Sequence, residues 1–173
     1  MFIYLKSINF LLISLIVILL NGCSSTNMKD FENKTPKLNL FEFFKGETVA
    51  YGIFEDRFGK LRRQFRVKIK GSVEENTLTL DEKFIYDDGE KATRIWKIKK
   101  INENNNLIKY EGSAEDVEGL ATGTSVGNAL NWTYDIYLNI KGSNLKVKFN
   151  DWIYKQDSNV AINRAYVSKF GID

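Results

Sequence analysis

A chain of 173 residues with 25 basic and 22 acidic side chains has a formal net charge of only +3, a balance that argues neither for nucleic acid as a partner nor for strong electrostatic binding to a membrane. Histidine is absent and cysteine occurs once. The commonest general base, proton shuttle and zinc ligand is therefore missing, no internal disulfide can form, and neither a metal, a cofactor nor an enzymatic activity is expected.

The N-terminus carries one positive charge, at Lys6, and then runs from Ile8 to Leu20 almost without polar interruption. That order, a short charged region before an apolar one, is the pattern of a secretory signal. The apolar run falls short of the roughly 20 residues that cross a bilayer, so a cleaved signal is expected over residues 1–22 rather than a permanent span. It ends in Leu20-Asn21-Gly22-Cys23-Ser24-Ser25, which resembles the lipobox of bacterial lipoproteins. The resemblance implies acylation of Cys23 on sulfur, as by palmitate, with Cys23 as the mature N-terminus. Each buried methylene of such a lipid adds ~0.8 kcal/mol of membrane affinity, and two or more chains make a durable anchor. By similarity to Gram-negative sorting rules, Ser24 in place of an aspartate implies the outer membrane, facing the periplasm. The expected localisation is the cell envelope, lipid-anchored.

Removing the signal leaves about 150 residues, the size of one domain. Residues 23–37 form the lipidated N-terminus and a polar tether, with Asn27, Lys29, Asp30, Asn33 and Lys34 and no apolar period. Residues 38–173 are expected to be a single β domain. Its first element is a short helix, with Leu40, Phe43 and Phe44 at helical spacing between an Asn39 cap and a Gly46 stop. From there the pattern changes to period two. Leu130, Trp132, Tyr134, Ile136, Leu138 and Ile140 alternate with polar residues, which puts one face in a core and the other in water.

Turn residues recur at Asp56 to Gly59, Asp87-Asp88-Gly89, Asn102 to Asn106, Gly127-Asn128 and Gly142-Ser143-Asn144. Such short, even spacing predicts an all-β, antiparallel up-and-down meander of about eight to ten strands, closed into a barrel that removes its edges. A two-sheet sandwich is the alternative.

Along several strands the apolar face also carries a charge: Arg63, Glu82, Arg94, Asp151 and Arg164. Buried charges must pair, coordinate something or face a wet cavity. Three arginines against two carboxylates suggest a slightly positive interior that takes an anionic head group, making the domain a binding module for a small amphiphile such as a lipid or fatty acid. The bland readings are a structural ion network and bulges that turn these groups outward. A different function, an envelope structural or assembly factor, would present exposed aromatic residues such as Tyr137 and Trp152 to a partner protein.

Weaker signals read as structural. Asp81 and Glu82 are neighbours on a strand and point to opposite faces, so they cannot share a substrate. Asp87-Asp88-Gly89 lacks the ligand spacing of a calcium loop and fits a hairpin turn. Ser168 and Lys169 are separated by the same alternation. The run Gly119 to Gly127 lacks the spacing of a nucleotide loop and suits sharp sheet curvature.

The stretches Leu20 to Cys23, Tyr51 to Lys60, Leu80 to Glu90, Gly127 to Leu130, Asn150 to Tyr154, Ile162 to Ala165 and Ser168 to Gly171 resemble, in order, the proteobacterial lipoprotein family filed as domain of unknown function 3833. The resemblance implies a lipoprotein with a lipocalin-like β fold and brings no assigned activity or site. Members are expected to continue past Ser168 to Gly171 into a further apolar strand, so barrel closure is an open expectation.

Overall fold

The computed structural model describes residues 26–104, 106–140 and 143–169. The segment expected to be a signal, residues 1–22, and Cys23 lie outside the described residues. Among the described residues nine strands follow one another: β1 (Gly46–Glu55), β2 (Leu61–Glu74), β3 (Thr77–Tyr86), β4 (Lys91–Asn104), β5 (Leu107–Ser113), β6 (Val117–Val126), β7 (Ala129–Ile140), β8 (Ser143–Lys155) and β9 (Ala161–Ser168). Every strand pairs antiparallel with its chain neighbours, in the sheet order β1 to β9. Two short helical elements precede them, a 3-10 turn (Met28–Phe31) and a helix α1 (Leu40–Phe43). This is the expected all-β meander with its short N-terminal helix.

Strict alternation builds the sheet and its core together. On β7, Leu130, Trp132, Tyr134 and Ile136 are buried, while Asn131, Thr133 and Asp135 between them stay partly exposed. Burying each such apolar side chain contributes about 1.5–3 kcal/mol. The sheet curls until its walls meet: the Trp96 ring of β4 packs edge-on against Tyr134 of β7, with ring centres 5.2 Å apart. The ladder is interrupted by register shifts in β4, between Lys100 and Asn102, in β6, between Glu118 and Thr122, and at the end of β1, between Phe54 and Glu55. Gly119 sits within the second at φ +70°, which any other residue would adopt only with strain. Gly123 serves a different need. The Trp132 ring lies flat across it, and a Cβ there would overlap the ring.

The result is a curled half-barrel rather than a closed one. Among the described residues β1 and β9 form its two edges and do not pair with each other. One end of the concave face is closed instead by the N-terminal segment. The Leu38 amide donates to the Gly127 carbonyl at 2.8 Å, the Ser125 hydroxyl donates to the Leu38 carbonyl at 2.5 Å, and the Leu40 amide donates to the Tyr110 hydroxyl at 3.3 Å. Leu38 and Leu40 are thereby carried into the core beside Leu78, Ile98 and Tyr110. Asn39 caps α1 by accepting from the Phe41 amide, and Gly46 at φ +99° ends the segment, as the sequence suggests. The polar stretch before it is folded too. Around the 3-10 turn the Asn27 amide donates to the Asp30 carboxylate and the Lys29 amide donates to the Asn27 side chain, and Phe31 packs against Trp152 and Tyr154 on the outer face of β8.

Candidate functional site

Strand register decides which charges face the concavity. Glu82 of β3 stands directly opposite Arg94 of β4 and beside Ile69 of β2, so both lie on the core face. Asp151 of β8 stands opposite Trp132 of β7 and reaches the concavity from the other wall. Arg63, opposite Phe54, lies on the same face at the end away from α1. Four of the five charges therefore point inward as expected.

Arg164 does not. It pairs with Trp152, whereas Asp151 pairs with Ala165, so Arg164 is on the outer face, exposed, with its guanidinium 4.7 Å over the Tyr166 ring. Apolar residues occupy both parities of β9, Ile162 and Tyr166 on one and Ala161, Ala165 and Val167 on the other. The alternation there admits either phase, and register with β8 selects the opposite one.

The inward charges gather into two groups. At the centre, Arg94 forms a two-pronged ion pair with Asp116 of the β5–β6 turn: Nε lies 3.1 Å from each carboxylate oxygen and Nη2 lies 2.6 Å from Oδ2. Glu82 adjoins this pair. Across the concavity the Tyr134 hydroxyl donates to Asp151 Oδ2 at 3.3 Å, while Asp151 Oδ1 is buried without a hydrogen-bond partner. At the far end Arg63 is clamped by Asp88 at 2.7 Å and Glu90 at 2.6 Å, with its guanidinium 3.6 Å over the Tyr86 ring. Its Nε is buried without a partner.

Electrostatics follow from this placement. Burial pushes the Glu82 carboxyl up to about 7, against the pull of Arg94 and reinforced by Asp116 and Asp151. Burial likewise raises Asp151 to about 6, against the Tyr134 hydrogen bond and Arg94. One arginine thus faces three carboxylates at the centre, and a second arginine faces two at the far end. The inward strand charges are two arginines and two carboxylates, and the exposed turn carboxylates Asp88, Glu90 and Asp116 make the balance around the two arginines acidic. The sequence pattern missed Asp116, Asp88 and Glu90 because they lie in turns, where no alternation marks their direction, and it took Tyr134 for plain core.

Around the cluster the concave face is apolar. Phe54, Phe65, Phe84 and Tyr86 form a continuous ring series from the open end, with centres 5.0 to 6.2 Å apart. Phe149 stacks on Tyr134 at 5.1 Å from the opposite wall. A groove of about 790 Å³ runs over the outer face past Thr77, Thr79, Lys97 and Lys99. Among the described residues no group of three or more acidic, cysteine or histidine side chains is placed to hold a metal ion.

The remaining signals resolve structurally. Asp81 and Glu82 point to opposite faces, Asp81 lying 4.0 Å from Lys83 outside. Asp87-Asp88-Gly89 is the β3–β4 hairpin turn, closed by the Gly89 amide donating to the Tyr86 carbonyl. Ser168 stands opposite Lys148 at the end of β9. Tyr137 is exposed and donates to Glu118, but Trp152 is buried beneath Phe31 and presents no surface to a partner.

No curated protein and no solved structure is detectably similar to this chain. A family profile described as "Protein of unknown function (DUF3833)" matches residues 17–173, nearly the whole of the chain. The chain belongs to that family.

Proposed function

We propose that the protein is an envelope lipoprotein anchored through acylated Cys23, whose half-barrel is a non-enzymatic module that holds a small amphiphile on its concave face. The observation that supports this most is the buried, unpartnered Oδ1 of Asp151 beside Glu82. A buried acceptor without a donor costs about 1–3 kcal/mol, and a ligand that donates hydrogen bonds removes that cost. The aromatic series from Phe84 to Phe54 offers the apolar surface for a chain.

The residue charges refine the ligand class. With carboxylates in excess, the head group that fits is one that donates, such as an ammonium, a hydroxyl or a protonated fatty acid; an ionised fatty acid meets repulsion. Arg94 serves to hold Glu82 and Asp116, and Arg63 is neutralised by its own clamp. The test is titration of the full chain in neutral nanodiscs with a long-chain amine, a monoacylglycerol and a fatty acid, followed by tryptophan emission. Trp96 and Trp132 stand 5.6 Å apart in the concavity and report on its occupancy. Saturable change with the donor amphiphiles, and weaker binding of the fatty acid above neutral pH, is the expected result. No saturable response to any of the three, or equal response to the ionised acid, overturns the assignment. Metabolic labelling with a radioactive fatty acid, lost in Cys23→Ser, tests the anchor separately.

A further inference from the structure

The outer face of β2 to β4 carries a charge distribution that the concave site does not use. Alternation sends Val67, Ile69, Phe84, Trp96 and Ile98 into the core, and so sends Arg66, Lys68 and Lys70, Lys83, and Lys97 and Lys99 to the outside. Lys68 stands directly opposite Lys83, a like-charge pair that is unfavourable in a sheet. Among the described residues only Lys83 of these six reaches a carboxylate, Asp81, and only at 4.0 Å. The outer face of the other wall is different, since Lys146 is held between Glu118 and Asp135.

Exposed apolar side chains are interleaved with these cations. Tyr51 and Ile85 flank Arg66 in one row across the sheet, and Val49 flanks Lys68 in the next. Tyr51, Ile53 and Ile85 are all exposed, as is Phe58 at the tip of the β1–β2 turn. The Arg66 guanidinium lies 5.7 Å over Tyr51, and that of Arg57 lies 5.0 Å over Phe58.

We propose that this face docks against an anionic lipid bilayer. Arg66, Lys68, Lys83 and Lys97, none of which has an acidic residue directly opposite, supply the attraction to acidic head groups, which falls away within a Debye length, whereas Lys70 stands between Glu47 and Asp81 and Lys99 opposite Glu111. The apolar side chains select a bilayer over a soluble polyanion. Tyrosine and isoleucine gain by entering the boundary between head groups and acyl chains, while lysine stems extend past them to the phosphates. A dissolved polyanion offers those side chains nothing. The inference is independent of the concave ligand and of the Cys23 anchor.

The test is amine-reactive labelling of the full chain in neutral phosphatidylcholine nanodiscs, read lysine by lysine by mass spectrometry. One arm adds protein-free vesicles containing ~30% phosphatidylglycerol, a second builds the same lipid into the disc, and a third adds heparin. Labelling of Lys68, Lys70, Lys97 and Lys99 is expected to fall at least about threefold in one of the two lipid arms and to recover in high salt. Lys109 and Lys148, on other parts of the outer face, should stay unchanged. Lys68→Gln with Lys97→Gln should abolish protection of Lys70 and Lys99. Ile53→Ser with Ile85→Ser should weaken it against lipid and leave any heparin effect intact. Unchanged near-ultraviolet signals from Trp96 and Trp132 verify the fold of each variant. No protection in either lipid arm overturns the proposal, and so does protection by heparin equal to that by lipid.

Discussion

The substitution Glu82→Gln tests the electrostatics of the concave face most directly. Burial moves this carboxyl from 4.5 to about 7, so between those values the folded chain holds a proton that the unfolded chain has released. Stability is then fully present below pH 4.5 and declines as the pH rises through 7, the reverse of the usual behaviour of a paired carboxylate. At about 1.4 kcal/mol per pH unit the decline attributable to Glu82 is about 3 kcal/mol. Asp151, raised by burial from 3.8 to about 6, declines over an overlapping range, and because its charge helps to raise Glu82 the two contributions do not simply add. The exposed carboxylates Asp56, Asp88 and Glu118 are shifted down and act in more acidic solution, outside this window. Glutamine keeps the shape of the side chain without its charge. Thermal unfolding of the full chain in a nonionic detergent at pH 5 and pH 8 should therefore show the parent losing roughly 5–10 °C between the two, and the variant losing much less. At pH 8 the variant should be the more stable of the pair. A parent that gains stability from pH 5 to pH 8, or a variant that is less stable than the parent at pH 8, refutes the reasoning.

Arg94→Met leaves Glu82, Asp116 and Asp151 without their cation and should cost about 3 kcal/mol at pH 8 by urea unfolding, with a smaller loss at pH 5, where Glu82 and Asp151 are protonated. Tyr134→Phe removes the hydrogen bond to the Asp151 carboxylate; it should cost about 1–2 kcal/mol and move the Asp151 titration, followed by carboxyl NMR, to higher pH. Gly123→Val drives a side chain into the Trp132 ring and should destabilise by about 1–3 kcal/mol in the same unfolding assay, with a change in tryptophan emission. Asn39→Ala removes the cap of α1 and should cost about 1 kcal/mol.

The regular parts of this molecule were legible because alternation is a local signal. β7 reads correctly from Leu130 to Ile136 since each inward side chain is large and apolar and each outward one polar. The same rule placed Arg63, Glu82, Arg94 and Asp151 on the core face. It failed at Arg164, where apolar residues on both parities of β9 leave the phase to be set by pairing with β8. Partners in turns were invisible for a related reason. Asp116 meets Arg94 across 22 positions of sequence, and nothing in Ser113-Ala114-Glu115-Asp116 announces that meeting. The charge balance around the two arginines depends on those turn residues, which a count of strand residues alone leaves out. Closure was overestimated in the same way: an edge can also be left open when a helix and a loop fill the end of the trough, and Leu38 to Phe44 carry no mark of where they dock.

The strict neighbour-to-neighbour order of the sheet has a temporal consequence. As the chain lengthens, each new strand finds its partner already present in the one before it, so β2 through β9 can be added without waiting for distant sequence. The N-terminal cover is the exception. Leu40 and Leu38 bond to residues 70 and 87 positions away, so the segment made before any strand is among the last to find its place. Closing so long a loop is slow compared with forming hairpins. Until it docks, the buried faces of Leu78, Ile98 and Tyr110 remain open to solvent, and the interval before docking is when this protein most needs protection from aggregation.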